Sequence, residues 1–408
     1  MNLRSLSLLF SFSATFIMCL PLVAQTPTVR PWTNTQGKSI SATFQKKDGT
    51  SIILKLQDGT LSSVPLEKLS AADQDYVKKM ESVELPTALG PLAWPQAISV
   101  SPASMTVTEG EQNEPLRSFT YETGNFQFVS NAPLSKTIIR NVAADFELVR
   151  SFFGQVPWGW EPRPKNGKFF KVKFTETNED YYAVGGGENS SAGMKDDYIF
   201  FRLNSMGIER VGGRYSFDPK RRTEGEVVAM TLRLLMGEVR YYLHPWGYMG
   251  MGDILRKVAY RKDSLRFVDL TSSLKEVVKE YAEVGVIPDS ERMLAFLHTY
   301  RLESGPDVLL HRRQRYFDST LLCYFFGFLD GDGKGTAFHQ YQQDIAKEAT
   351  AYRVSILSDD KKPRPRKTGT WDDWALEHLD KLLAGRDDVQ LKKQIVDAYA
   401  AIGVKFLK

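Results

Sequence analysis

Residues Phe119–Val129 read FTYETGNFQFV, and residues Ser135–Phe153 read SKTIIRNVAADFELVRSFF. The first stretch alternates apolar and polar residues on either side of Thr123-Gly124-Asn125, a pattern that predicts strand, turn and strand. The second places Ile138, Val142, Phe146, Val149 and Phe152 three or four residues apart, the period of a helix with one apolar face. Outward from this core, Phe169–Phe174 (FFKVKF) and Tyr198–Leu203 (YIFFRL) read as strands. Glu224–Tyr242, Leu274–Val284, Ser290–Thr299, Arg315–Phe328, Phe338–Lys347, Trp371–Leu383 and Val389–Ile402 carry helical spacing. A strand-rich front and a helical back predict an α+β domain spanning 118–408.

The N-terminal part has a different grain. Ser39–Gln45 (SISATFQ) and Ser51–Gln57 (SIILKLQ) alternate around Lys47-Asp48-Gly49, and Asp58-Gly59 separates the second run from Leu61–Leu66. Asp-Gly between alternating runs is a strong hairpin signal, because Gly tolerates positive φ. Ser70, with Asp73 three residues on, is a variant capping box opening a short helix to Met80. Short strands and tight turns over 29–80 predict a small SH3-like β-barrel. The Pro- and Ser-containing stretch 81–117 reads as a linker with a strand or two.

Before all of this, Arg4 precedes the uncharged run Ser5–Leu20, and Leu22-Val23-Ala24 offers a small residue for cleavage. Charge, apolar stretch and small exit residue describe a secretory leader over 1–24, too short in its apolar core for a spanning helix. Met18 stands before Cys19, where a lipoprotein leader needs a small residue. The expectation is a secreted or periplasmic chain with no membrane span once the leader is removed. It would keep one thiol, Cys323, in the apolar run LLCYFFGF and hence buried.

The chain has 408 residues, with 53 Lys and Arg against 49 Asp and Glu. A net charge of +4 on this length, with one basic block at Lys361–Lys367, argues against nucleic acid as a partner. Two Cys exclude a disulfide scaffold.

Two family resemblances follow. Arg30-Pro31-Trp32-Thr33-Asn34, Gly37-Lys38, Ala42, Phe44, Asp48-Gly49, Leu54, Asp58-Gly59, Val64-Pro65-Leu66, Leu69-Ser70, Asp73, Tyr76 and Val77 together resemble the Sla-one homology domain, an SH3-like module also found in bacterial envelope proteins. That resemblance implies binding of a peptide or envelope component, with Trp32, Tyr76 and Phe44 as candidate contacts. From Phe119 onward the chain resembles secreted bacterial proteins with a gluzincin-like metallopeptidase domain. The matching runs are Gly185-Gly186-Gly187 with Ser191-Ala192-Gly193, Ser205-Met206-Gly207-Ile208, Cys323 to Gly333 (CYFFGFLDGDG), and Leu382-Leu383-Ala384-Gly385-Arg386.

The chemistry this family implies is missing. A zinc helix carries His-Glu-x-x-His, because i and i+4 share a helical face and two imidazoles can then meet one Zn²⁺. The corresponding helix here is EVVAMTLRLLMG (226–237), and no His lies between Glu224 and Tyr242 in any register. Ala229, Met230, Thr231, Leu234 and Leu235 occupy the degenerate positions, and Met249 of Trp246-Gly247-Tyr248-Met249-Gly250 stands where a third ligand belongs. Zn²⁺ needs N, S or O donors, so these residues predict a pseudo-peptidase with no metal and no cofactor. Thr231, Arg233, Trp246 and Tyr248 are then candidate contacts for a polypeptide held in the inherited cleft.

Other readings are weaker. His244, His298, His311, His339 and His378 include no i,i+3 or i,i+4 pair. Asp330-Gly331-Asp332-Gly333-Lys334 opens like a calcium loop, but Lys334 and Tyr341 fall where oxygen ligands are required. Gly185–Gly187 lacks a phosphate-binding Lys, and Cys323 sits in an apolar helix that disfavours a thiolate. The Trp158-Gly159-Trp160 and Tyr241-Tyr242 clusters could stack on sugars, with ordinary core packing favoured. Against a binding or scaffold protein stand two rivals: a hydrolase with non-zinc or displaced-ligand chemistry, and a purely structural envelope protein. Zinc content separates the first, and a pull-down with the isolated barrel the second.

Overall fold

The structure, a computed structural model, describes residues 30–56, 58–82, 92–164, 167–188, 190–223, 225–237, 239–298, 308–358 and 371–407. The leader expected over 1–24 and the basic loop 361–370 lie outside the described residues. The chain divides into two compact units, Met1–Pro86 and Thr87–Lys408, and its class is α+β.

The first unit contains β1 (Arg30–Thr33), β2 (Ser39–Asp48), β3 (Ser51–Leu56), β4 (Leu61–Pro65) and α1 (Ala71–Ser82). The strands form an antiparallel meander in chain order, with Trp32 opposite Ile40, Ala42 opposite Leu56 and Ile52 opposite Val64. Both predicted Gly turns form, Gly49 at φ +57° and Gly59 at φ +89°. The closed barrel expected from the strand count does not form among the described residues. The outer edge of β1 meets the segment before α1 instead, through Ser70 N–H to Thr33 O at 2.8 Å and Thr35 N–H to Lys68 O at 2.9 Å. Asp73 locks this edge: its carboxylate accepts from Arg30 (2.6 Å), from Thr33 N–H (2.7 Å) and from the Ser70 hydroxyl (2.9 Å). Trp32, Ala42, Ile52, Leu54, Leu69 and Val77 form the buried core.

The second unit begins earlier than the sequence predicts. The strand or two expected within the linker stretch form as β5 (Ala97–Ser99) and β6 (Thr108–Asn113). Trp94 stacks on Phe328 at 4.8 Å and donates to Gly327 O at 2.7 Å. Residues 92–117 therefore belong to this unit; their apolar side chains are too sparse to betray it, since each fills a gap supplied by distant sequence. Next come β7 (Ser118–Glu122), β8 (Phe126–Ser130), α2 (Lys136–Gln155), β9 (Phe170–Thr175), α3 (Asn178–Ala183), β10 (Ala192–Lys195) and β11 (Tyr198–Arg202). They build a six-stranded mixed sheet, order β10-β11-β9-β8-β7-β6, in which β8–β9 and β9–β11 are parallel. Parallel neighbours need a crossover, and α2 and α3 supply them. All five apolar positions predicted for α2 are buried, and Phe146 meets Phe128 at 5.2 Å and Phe201 at 5.8 Å. Ser135 caps the helix by accepting from Ile138 N–H at 3.3 Å.

A hairpin of β12 (Ile208–Val211) and β13 (Arg214–Phe217) leads into α4 (Glu226–Met236). This helix is shorter than the predicted 224–242, because Gly237 at φ +50° ends it. Then follow α5 (Pro245–Asp253), β14 (Tyr260–Arg261), β15 (Ser264–Arg266), α6 (Thr271–Glu283), α7 (Ser290–His298), α8 (Val308–Tyr324), α9 (Thr336–Ser358), α10 (Trp371–Leu383) and α11 (Asp388–Ala401). Strand β15 pairs with β14 and β5 in a three-stranded sheet. Wider, π-type turns extend α5 through Ile254–Ala259 and α8 through Phe325–Leu329.

Helices α5 and α8 approach backbone to backbone. A Cβ on Gly250 would lie 2.0 Å from Ser319 O and 2.7 Å from Cys323 Sγ. The buried Cys323 thiol donates to Gly247 O at 3.4 Å. Overpacking at such a contact costs about 1–3 kcal/mol, so Gly250→Ala should lower the unfolding free energy measured in urea by that amount. Gly154→Ala is the control: it lies in α2 with nothing within 4 Å of its Cβ position, and helix propensity predicts a neutral to stabilising change of up to about 1 kcal/mol.

Candidate functional site

Helix α4 buries Val227, Val228, Met230, Thr231, Leu232, Leu234, Leu235 and Met236. What it leaves half-buried is a stripe of Glu226, Ala229 and Arg233, spaced three and four residues apart on one face. Ser191, just before β10, donates to Glu226 Oε2 at 2.7 Å and ties this stripe to the edge of the large sheet. Helix α5 crosses the same face: a Cβ on Gly252 would lie 3.9 Å from Ala229 Cβ. Half-buried Tyr248 and Met249 sit one turn earlier on α5. Burial raises the Tyr248 phenol, while the charges of Arg233 and Arg240 pull it down. The Arg240 guanidinium reaches Met194 Sδ of β10 at 3.9 Å, and β10 is an edge strand of the sheet.

The structure thus gathers Arg233, Tyr248, Ala229 and Met249 on one side of α4 and α5, but not Thr231 or Trp246. Thr231 lies two residues from both Ala229 and Arg233, about 200° round the helix. It is fully buried, with its Oγ1 lacking a hydrogen-bond partner among the described residues. Trp246 is fully buried against Tyr341, ring centroids 6.1 Å apart. Both are core residues. Met230, Leu234 and Leu235 are likewise in the core.

In the first unit Trp32 is only 1% exposed and donates to Ala42 O at 3.1 Å, so its ring is packing rather than contact surface. Phe44 and Tyr76 are half-buried. The Arg30 guanidinium lies 4.0 Å from the Tyr76 ring centroid and 4.7 Å from that of Trp32, a partly accessible cation on an aromatic floor.

The remaining motifs have structural partners. Asp330 accepts a bidentate pair from Arg386 at 2.7 and 3.0 Å, joining the LDGDG run to the LLAGR run. Asp332 accepts from Lys334 N–H at 2.9 Å and Thr336 Oγ1 at 3.0 Å, a turn-and-cap geometry. Gly186 lies flat on Tyr181, where a Cβ would sit 2.1 Å from the ring. Trp158 and Trp160 are buried, donating to His339 Nδ1 at 2.9 Å and Gln342 O at 3.0 Å. Desolvation lowers His339 to about 4 and His244 to about 3, leaving both neutral at physiological pH. Burial likewise pushes the Cys323 thiol up, away from a reactive thiolate. Among the described residues no three His, Cys, Asp or Glu side chains are grouped to hold a metal ion. No described helix is long and apolar enough to cross a membrane. The sequence has no significant match to any known family profile or to any curated protein.

Sequence reasoning missed the buried carboxylates, whose spacing carries no signal. Asp145 on α2 accepts from Arg222 at 2.5 Å and from Tyr260 at 2.9 Å. Asp318 on α8 takes both arms of Arg292 at 2.7 and 2.8 Å. Asp253 on α5 accepts from Arg256 at 2.7 Å and Tyr281 at 3.2 Å. Burial raises the Asp145 carboxyl from 3.8 to about 6, although Arg222 opposes it. A folded value above the unfolded one means the group's contribution is fully present below about pH 4 and is lost as pH rises through 6. Wild type should therefore lose about 3 kcal/mol relative to Asp145→Asn between about pH 4 and 7, then level off. Urea unfolding of both proteins across that range checks it; a constant difference would refute the raised carboxyl.

Proposed function

We propose that this chain is an exported, non-catalytic binding or scaffold protein. Its first unit is an SH3-like, Sla-one-homology module, and its second a gluzincin-like pseudo-peptidase that holds a polypeptide without cutting it. One observation carries this reading: the half-buried stripe of α4 presents Ala229 and Arg233 four residues apart. That is the spacing at which a zinc helix shows its two imidazoles. In this register Met230 stands where the general base would be, and Met249 or Tyr248 faces the pair from α5. A methyl group and a guanidinium have no lone pair to give a metal, and Arg stays protonated. The site is therefore built for acceptors rather than cations.

Edge strand β10 supports a polypeptide ligand. No strand among the described residues pairs with its outer edge, which leaves room for an extended segment, the mode of recognition by strand addition. Arg233 and Tyr248 then offer donors to carbonyls or carboxylates of that segment. In the first unit, Arg30, Phe44 and Tyr76 are the accessible contacts for a peptide or envelope component. Export follows from the leader 1–24, giving a secreted or periplasmic protein that begins at Gln25.

The test uses the chain expressed with its leader and recovered from the exported fraction, mixed with denatured casein. Mass spectrometry should find the protein starting at Gln25 and retained casein segments intact, with or without chelator. Replacing Arg233 and Tyr248 together by Ala should weaken retention about tenfold. Chelator-sensitive cleavage, or stoichiometric zinc in the purified protein, would overturn the pseudo-peptidase reading.

A further inference from the structure

A pocket of about 590 Å³ lies where the second half of α2 meets the β7–β8 turn and the segment after β5. It shares no residue with the α4–α5 site, and its size falls in the range of small-molecule sites. Helix α2 contributes Glu147, Arg150, Ser151 and Gly154 to it, a spacing that keeps all four on one helical face. Half-buried Val100 and Met105 supply an apolar wall. Arg140 Nε ties that wall to α2 by donating to Met105 O at 3.1 Å.

The lining carries one charge of each sign, and the two are held differently. Glu147 is anchored to the β7–β8 turn. Its Oε1 accepts from Thr123 Oγ1 at 2.7 Å and from Asn125 N–H at 3.1 Å, and its Oε2 from Asn125 Nδ2 at 2.6 Å. All these donors are neutral, so the carboxylate keeps its charge, and Oε2 has capacity for a further bond. Arg150 is the opposite case. Its Nε is shielded from solvent and meets no acceptor among the described residues. Nor does the guanidinium pair with Glu147 or any other described residue, although side chains at this helical spacing start only about 5–6 Å apart. The turn has drawn the carboxylate aside, and two uncompensated charges of opposite sign remain on adjacent turns of one face. Ser151 adds a hydroxyl that accepts from Gln155 Nε2 at 2.9 Å and has its own proton to donate.

We propose that this pocket binds a small zwitterion, an α-amino acid with an apolar side chain. Its carboxylate pairs with Arg150, its ammonium with Glu147 Oε2, and its side chain lies against Val100 and Met105. A guanidinium takes a carboxylate through two parallel N–H bonds. A simple anion would be opposed by the Glu147 charge and a simple cation by that of Arg150. An amino acid carries both of its charges next to one carbon, and so answers both groups at once.

Calorimetric titration of the full chain at about 0.15 M salt, with L-leucine and with L-phenylalanine separately, tests this. At least one should bind one to one with Kd about 1 mM or tighter. Its N-acetyl derivative lacks the ammonium and its amide lacks the carboxylate; each should bind at least about tenfold more weakly. Arg150→Gln should weaken the amino acid at least about tenfold, while Arg163→Gln should leave it within about twofold, because Arg163 is exposed and paired with Glu161 outside the pocket. Gly154→Leu tests the place itself: nothing lies within 4 Å of that Cβ position, so the side chain enters the pocket without disturbing the core, and binding should fall by a similar factor. Absence of binding by both amino acids overturns the proposal. So does a blocked derivative that binds as tightly as its parent, an equal loss in Arg163→Gln, or undiminished binding by Gly154→Leu.

Discussion

At the crossing of α5 and α8, Gly250 lets one helix lie directly against the carbonyl of Ser319. Cys323 fills the adjacent space, its thiol turned onto the carbonyls of Trp246 and Gly247. This approach sets where α5 runs, and so brings Gly252 beside Ala229 and Tyr248 into the field of Arg233. A larger residue at 250 would push α5 outward, and the α4 stripe would lose its opposite wall. The candidate site therefore depends on a contact between backbones on its far side.

Buried carboxylates fix the surrounding elements in orientation. Asp145 joins α2 to Arg222 and to Tyr260 of β14; Asp253 joins α5 to Tyr281 of α6 and Thr320 of α8; Asp318 joins α8 to Arg292 of α7. Burying such pairs carries a desolvation cost that roughly cancels their attraction, so their contribution to net stability is small. Their effect is selective, because a misplaced helix would leave a charge in the core without its partner. Asp330 with Arg386 does the same near the surface, linking the turn before α9 to the end of α10. Two residues 56 positions apart in the chain are held together in space.

The α4 face was partly legible. Helical spacing alone placed Ala229, Met230, Thr231, Arg233, Leu234 and Leu235 on one helix, but the apolar residues cover so much of it that no single face could be picked out. Burial resolves it to Glu226, Ala229 and Arg233, and removes Thr231 and Trp246 from the site. The same limit applied in the first unit, where Trp32 and Tyr76 looked equivalent by sequence. A Trp ring with its N–H satisfied by Ala42 O is core, and the partly exposed Tyr76 is not.

Sequence by itself determined the α+β class, the two Gly turns of the first unit, the amphipathic α2 and the absence of imidazole from the α4 helix. Each is a property of neighbouring residues: a period, a permissive φ or a missing atom type. Tertiary structure alone decided that 92–117 pack into the second unit and that the first unit's four described strands stay an open sheet. Those outcomes depend on contacts between residues far apart in the chain, whose distances no local pattern encodes.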